Sequence, residues 1–311
     1  MRWSRRKGGH RVTQPQARTA PLNPIIDTEL AMRRKLRAMA RQVPGADFLL
    51  RRAAEDLADR IATVARRFPR AATLFSPGDA AAQALLSTDK VDAVEQVAGH
   101  AALAGSADPR LASPETVPVE PASLDLIVSL MALHEMNDLP GLLIQARRAL
   151  KPDGLFVAAF PGAGTLTELR DSLLGAETEI AGGASPRILP FADVRDAGAL
   201  LQRAGFALPV ADIETVTVRY DSMFALMRDL RAMGATNALL ARVRKPARRA
   251  LFLRAAEIYA ERFSDPDGRI RATFATIWLS GWAPAETQQK PLKPGSAQVS
   301  LAKVLGEFGG E

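Results

Sequence analysis

The chain has 311 residues, 47% apolar and 24% charged, which suits one large or two small domains with a substantial core and excludes whole-chain disorder. It has no Cys and only His10, His100 and His134, so disulfides, thiolate metal sites and cysteine nucleophiles are excluded and no metal centre is expected. The net charge of +7 is local: residues 1–20 hold six basic side chains and no acid, leaving 35 basic against 34 acidic residues in the rest.

In chain order, residues 1–24 read as a disordered basic tail, with Gly8, Gly9, Pro15 and Pro21 and few apolar side chains. They lack the apolar stretch of a secretory signal, and Gly and Pro oppose the amphipathic helix of an organellar presequence. The expectation is therefore a bacterial cytoplasmic protein, with the mitochondrial matrix as the alternative. Residues 28–66 carry apolar side chains three and four apart, and Pro44-Gly45 divides them into two helices. Ala71–Phe75 reads as a short strand, Ser76-Pro77-Gly78-Asp79 as a turn and Ala80–Leu86 as a helix. Further short strands are expected at Lys90–Val97 and Glu115–Val119. Leu124–Leu130 is an apolar run interrupted by Asp125 and Ser129, and it reads as a strand buried in a parallel sheet.

Asn137 or Asp138 caps a helix that has Pro140 in its first turn and runs to Leu150. Lys151-Pro152-Asp153-Gly154 then turns into a buried strand, Leu155–Phe160. Gly162–Gly164 opens a helix to about Leu174, and another spans Val194–Arg203 before Gly205. Phe206–Tyr220 alternates as a strand or hairpin, Met223–Met233 and Ala247–Phe263 are helical, and Ile270–Trp282 is a β-branched, aromatic final strand. This order predicts an α/β fold, a doubly wound and mostly parallel sheet with a helical cap, about 221–268, inserted before the last strand. Residues 25–283 form that domain, and 284–311 read as a polar linker with a short helix at Val299–Phe308. No window approaches the roughly 18 apolar residues of a transmembrane helix.

The run Leu124–Ser129, with Leu133-His134, Asn137-Asp138-Leu139-Pro140 and Leu150-Lys151-Pro152-Asp153-Gly154, resembles the centre of class I S-adenosylmethionine-dependent methyltransferases. Gly164-Thr165-Leu166, Glu168-Leu169-Arg170, Gly182-Gly183, Ser185-Pro186, Pro190-Phe191, Arg203-Ala204-Gly205-Phe206, Met233-Gly234 and Gly281-Trp282 narrow the likeness. They resemble the assembly factor 5 family of respiratory NADH:quinone oxidoreductase (complex I) and its bacterial relatives. The resemblance implies a seven-stranded Rossmann-like methyltransferase fold, S-adenosyl-L-methionine as cofactor, and modification of a protein side chain as chemistry. Fold alone does not fix the reaction.

A pocket of that kind needs glycines after the first strand, because backbone must approach the ligand closely. Where the family pattern has Leu-Asp-Leu-Gly-x-Gly-x-Gly, this chain has Ala72-Thr73-Leu74-Phe75-Ser76-Pro77-Gly78-Asp79. Thr73 replaces the acid, Phe75 stands at the first glycine, and Gly78 lies one place out of register. Glu95, with Asp92 as the other candidate, matches the acid expected at the ribose, and Glu115 the acid on the adenine side. Ser129 on the fourth strand completes the expected cofactor contacts. His134 follows that strand as a candidate base or substrate-orienting group.

Arg187, Arg219, Arg228 and Arg231 lie near the cap and can meet an acidic partner. Arg242, Arg244, Lys245, Arg248 and Arg249 form a basic run able to dock a protein or an anionic membrane surface peripherally. Aromatic residues at 5% and a near-neutral body argue against a nucleic-acid partner. Two functions follow. One is a methyltransferase-like protein acting on a protein partner in complex I assembly. The other is a non-catalytic assembly scaffold on the same fold, favoured if Phe75 fills the cofactor hollow. Hydroxylation of a protein side chain, of which the family is thought capable, is a third reading, although no iron-ligand pattern is evident.

Overall fold

The computed structural model describes residues 23–288. The basic tail and the C-terminal helix expected at Val299–Phe308 lie outside the described residues, apart from Asn23 and Pro24. Two helices, α1 (Thr28–Arg41) and α2 (Phe48–Thr63), precede β1 (Phe68–Leu74), α3 (Ala80–Leu86), β2 (Val91–Ala98) and β3 (Arg110–Leu111). There follow β4 (Leu124–Leu130), α4 (Leu139–Ala149), β5 (Leu150–Pro161), α5 (Thr167–Ala181), α6 (Val194–Arg203) and β6 (Ala207–Tyr220). The series ends with α7 (Met223–Ala232), α8 (Arg249–Phe263) and β7 (Ile270–Trp282).

The seven strands lie in the order β3-β2-β1-β4-β5-β7-β6. β1 to β5 run parallel to one another, while β7 runs antiparallel to both β5 and β6. The order reverses between β1 and β4. In an open α/β sheet that switch point, at the carboxyl ends of the strands, is where a crevice forms.

Strands buried on both faces explain the predominantly apolar runs of the central strands. On one face Leu126, Val128 and Val157 pack with Leu57 and Ile61 of α2 and Leu85 of α3. On the other, Ile127, Phe156 and Ile277 pack with Leu142, Leu143 and Ala146 of α4 and Leu201 of α6. The cap is built on the last two strands: α7 and α8 join α5 through Leu226, Leu251, Ile258 and Tyr259, which meet Ile270, Ala272 and Phe274 of β7.

Three expectations are corrected. Glu115–Val119 is not a strand; the third strand is Arg110–Leu111, because Pro114 and Pro118 remove ladder donors and Glu115 takes a positive φ of 68°. The Lys-Pro-Asp-Gly turn lies within β5, which already pairs at Leu150 and resumes at Leu155 after the intervening residues bulge out. Finally, α5 begins at Thr167 and continues to Ala181, two turns past Leu174, ending where Gly182 takes a φ of 65°.

Candidate functional site

At the switch point the chain must turn sharply out of each strand. Phe75 (φ 57°) and Gly78 (φ 68°) turn it after β1, and Met131 (φ 53°) after β4. A Cβ on Gly78 would meet nothing within 4 Å, so glycine serves the backbone angle there and not the space. Two hydroxyls tie the strand ends together. Ser129 Oγ donates to the Leu74 carbonyl at 2.9 Å, and Ser76 Oγ accepts from the Leu130 N–H at 2.8 Å.

Above these turns lies a cavity of about 680 Å³, roofed by α1, the corner between α1 and α2, and the turn after α7. Met39, Leu49, Leu50, Met131 and Met233 give it an apolar lining, and Asp47, Asp79 and Glu135 supply carboxylates. Glu135 carries the strongest interaction. Its carboxylate meets Lys35 Nζ of α1 at 2.5 Å, with the two side chains 14% and 17% exposed. Burial pushes the Glu135 carboxyl up, but Lys35 and His134 together hold it below its ordinary range. His134 Nε2 lies 3.8 Å from the Glu135 carboxylate, while its buried Nδ1 has no hydrogen-bond partner. Burial, aided by Lys35, pushes the imidazole down to about 4 against the opposing pull of Glu135. His134 is therefore neutral at pH 7.

The roof is pinned from below. Asn137 Oδ1 accepts from the N–H groups of Ile25 and Ile26, both at 2.9 Å, and its Nδ2 donates to the Ile26 carbonyl at 3.1 Å. The Glu115 carboxylate in turn accepts from the Asn137 N–H. Asn137 thus anchors the entry to α1, and Asp138 caps α4 by accepting from Gly141 N at 2.9 Å.

The end of the crevice between β1 and β2 is where adenosine belongs in this fold. There the remaining space is about 50 Å³, lined by Phe75, Met32 and Met136 among others. Met32 reaches down from α1 so closely that a Cβ on Gly99 would lie 2.3 Å from its terminal methyl carbon. Such a space holds a water or two, whereas ligand sites span roughly 300–1,000 Å³.

The other expected contacts lie elsewhere. Thr73 is buried within β1 and Ser129 fully buried within β4. Glu95 sits three residues before the end of β2, ion-paired to Arg110, and Asp92 pairs with Arg67 at 2.6 Å. Of the six expected cofactor residues, only Phe75 and Gly78 face either hollow. The fold is that of S-adenosyl-L-methionine-dependent methyltransferases, and in this structure the side chains of Phe75 and Met32 narrow its adenosine end.

Lys35, Asp47 and Asp79 are site residues that the sequence reading missed. Lys35 and Glu135 stand a hundred positions apart, with no local pattern to join them. In the basic run, Arg242 is engaged, 3.1 Å from Asp27 and donating to the Leu239 carbonyl, whereas Arg244, Lys245, Arg248 and Arg249 are exposed.

Comparison with known proteins agrees with the fold. A methyltransferase domain model matches residues 77–158. The crystal structure of the YcgJ protein from Bacillus subtilis superposes with a TM-score of 0.51 at 14% identity, covering 75% of this chain and 99% of that one. A protein named arginine-hydroxylase NDUFAF5, mitochondrial, from Dictyostelium discoideum is 47% identical over 189 residues, 60% of this chain and 43% of its own length. The protein of the same name from Mus musculus is 39% identical over 301 residues, 93% of this chain and 87% of its own. This chain thus spans less than half of the Dictyostelium relative and most of the mouse one. The expectation of a bacterial cytoplasmic protein is overturned by these relatives, which are named as mitochondrial.

Proposed function

This chain belongs to the assembly factor 5 family of respiratory NADH:quinone oxidoreductase, and on that premise we propose that it serves complex I assembly by seating an arginine side chain of a protein partner in the large cavity. It does so as a holder, not as a methyl donor, and the relatives' mitochondrial names support a mitochondrial site of action. The observation that carries this reading is the pairing of an apolar cavity wall with the Glu135 carboxylate, whose present counterion is the ammonium of Lys35. An arginine presents a methylene stem to apolar surface and a planar fork that matches a carboxylate bidentately. The neutral His134 beside it adds no competing positive charge. Arginine is also the residue that the relatives, named arginine-hydroxylase, are said to modify. Against methyl transfer stands the narrow space left by Phe75 and Met32.

The test is titration of the protein with N-acetyl-arginine amide and with the citrulline amide, its neutral isostere. Saturable binding of the first, absent for the second, is expected. Equal binding of both, or of neither, contradicts the reading.

A further inference from the structure

A second concavity, of about 270 Å³, opens on the outer side of α1. Its walls are Arg34, Arg37 and Arg41 of α1, Arg231 at the end of α7, and Thr236; only Ala38 is apolar. The α1 arginines recur at intervals of three and four, which places them on one face of the helix. Gly234, at a φ of 77°, brings the turn after α7 so close that a Cβ there would lie 3.0 Å from the Lys35 Cα. That approach seats Arg231 and Thr236 opposite the three.

Among the described residues, none of these four arginines makes an ion pair, although Arg33 beside them pairs with Glu29. Arg34 donates to the Asn237 carbonyl. Asp27, the acid whose field reaches Arg34, is committed to the Leu30 N–H at 3.0 Å and to Arg242 at 3.1 Å. Burial, with Arg242 and Arg37 adding to it, holds the Arg34 guanidinium below its ordinary range in spite of Asp27. In a body with 35 basic and 34 acidic residues, four unpaired guanidiniums around one hollow are not a consequence of composition. Their mutual repulsion is relieved by an anion of more than one charge.

We propose that this concavity binds the phosphate or pyrophosphate group of a phosphorylated small ligand. Guanidinium forks match phosphate oxygens bidentately, and four of them exceed what a single carboxylate can satisfy. The volume lies below the roughly 300 Å³ at which whole-ligand pockets begin, so the group enters and the remainder of its carrier stays outside. The walls carry no aromatic or extended apolar surface on which a peptide would lie. A nucleotide and a phospholipid headgroup both present this chemistry. The site stands apart from the arginine-holding cavity and is independent of that reading.

The experiment is calorimetric titration of the full chain with pyrophosphate, for the natural protein and for Arg37→Gln and Arg231→Gln. Both side chains are exposed and without ion pairs, so their exchange spares the fold; circular dichroism verifies this. Saturable binding is expected, weakened about tenfold in each variant through the loss of charge-assisted hydrogen bonds, and weakened again by added salt. Competition by ADP identifies a nucleotide as the source, and competition by vesicles containing phosphatidylglycerol a lipid headgroup; either outcome supports the site. No binding of pyrophosphate, binding unchanged in both variants, or equal displacement by a poly-glutamate peptide overturns it.

Discussion

Exchange of Glu135 for Gln is expected to lower the unfolding free energy by roughly 3 kcal/mol and to abolish binding of the arginine amide. The stability loss follows from what is left behind. Lys35 Nζ lies 2.5 Å from the carboxylate and its side chain is only 17% exposed, so removing one charge strands the other away from water. A single variant would confuse a weakened fold with a lost ligand. Lys35→Met added to Glu135→Gln separates the two, because replacing both members of a buried pair by uncharged side chains of similar size is close to neutral. The double variant is expected to recover stability in a denaturant titration and still fail to bind the guanidinium. Recovery of binding along with stability would show that Glu135 is not the receiving group.

Acidification from pH 7 to pH 5 is expected to cost the protein about 2 kcal/mol through His134 alone. The imidazole sits at about 4 in the folded chain against an ordinary 6.5. Between those values the unfolded chain binds a proton that the folded chain refuses. Stability therefore falls as pH drops below 6.5 and levels off only near 4. Glu135, held low in the folded state, withdraws its own contribution at lower pH, below the ordinary carboxylate range. His134→Gln keeps a neutral polar group and is expected to flatten the curve between pH 7 and 5. Urea midpoints measured at the two values, for both proteins, check this; an equal slope in the variant would mean that His134 titrates normally.

The fold was legible where local and global preferences agree. Leu124–Leu130 and Ile270–Trp282 are rich in apolar and β-branched residues and follow the polar residues Ser123 and Arg269, and their strands have those bounds. Val194–Arg203 lies between an Asp cap and a C-terminal glycine, and its helix likewise keeps them. Legibility failed where tertiary contacts outweigh pattern. The last turns of α5 look polar because Glu177 and Glu179 occupy them. Yet Glu177 is buried, 2.8 Å from Arg187 and 2.7 Å from the Ser185 hydroxyl, and Glu179 meets Arg254 of α8 at 2.7 Å. These bonds carry the helix beyond its apolar stripe.

The candidate site divides along the same line. Phe75 and Gly78 were visible because they occupy a motif position, and the space left beside Phe75 bears on the scaffold reading directly. The Lys35–Glu135 pair and the Met32 contact on Gly99 were not visible. Both depend on α1 folding back over a sheet whose first strand begins only at Phe68. Of the two expected cap candidates, Asn137 and Asp138, the role falls to Asp138, while Asn137 holds the backbone that leads into α1.

Whether the crevice still accepts a nucleoside is the direct question. Calorimetric titration of the full chain with S-adenosyl-L-methionine should give no saturable heat up to about 1 mM ligand, the range of binding worth only about 4 kcal/mol. Saturation in the micromolar range would mean that Phe75 and Met32 yield to the cofactor, and the holder function would give way to methyl-donor chemistry.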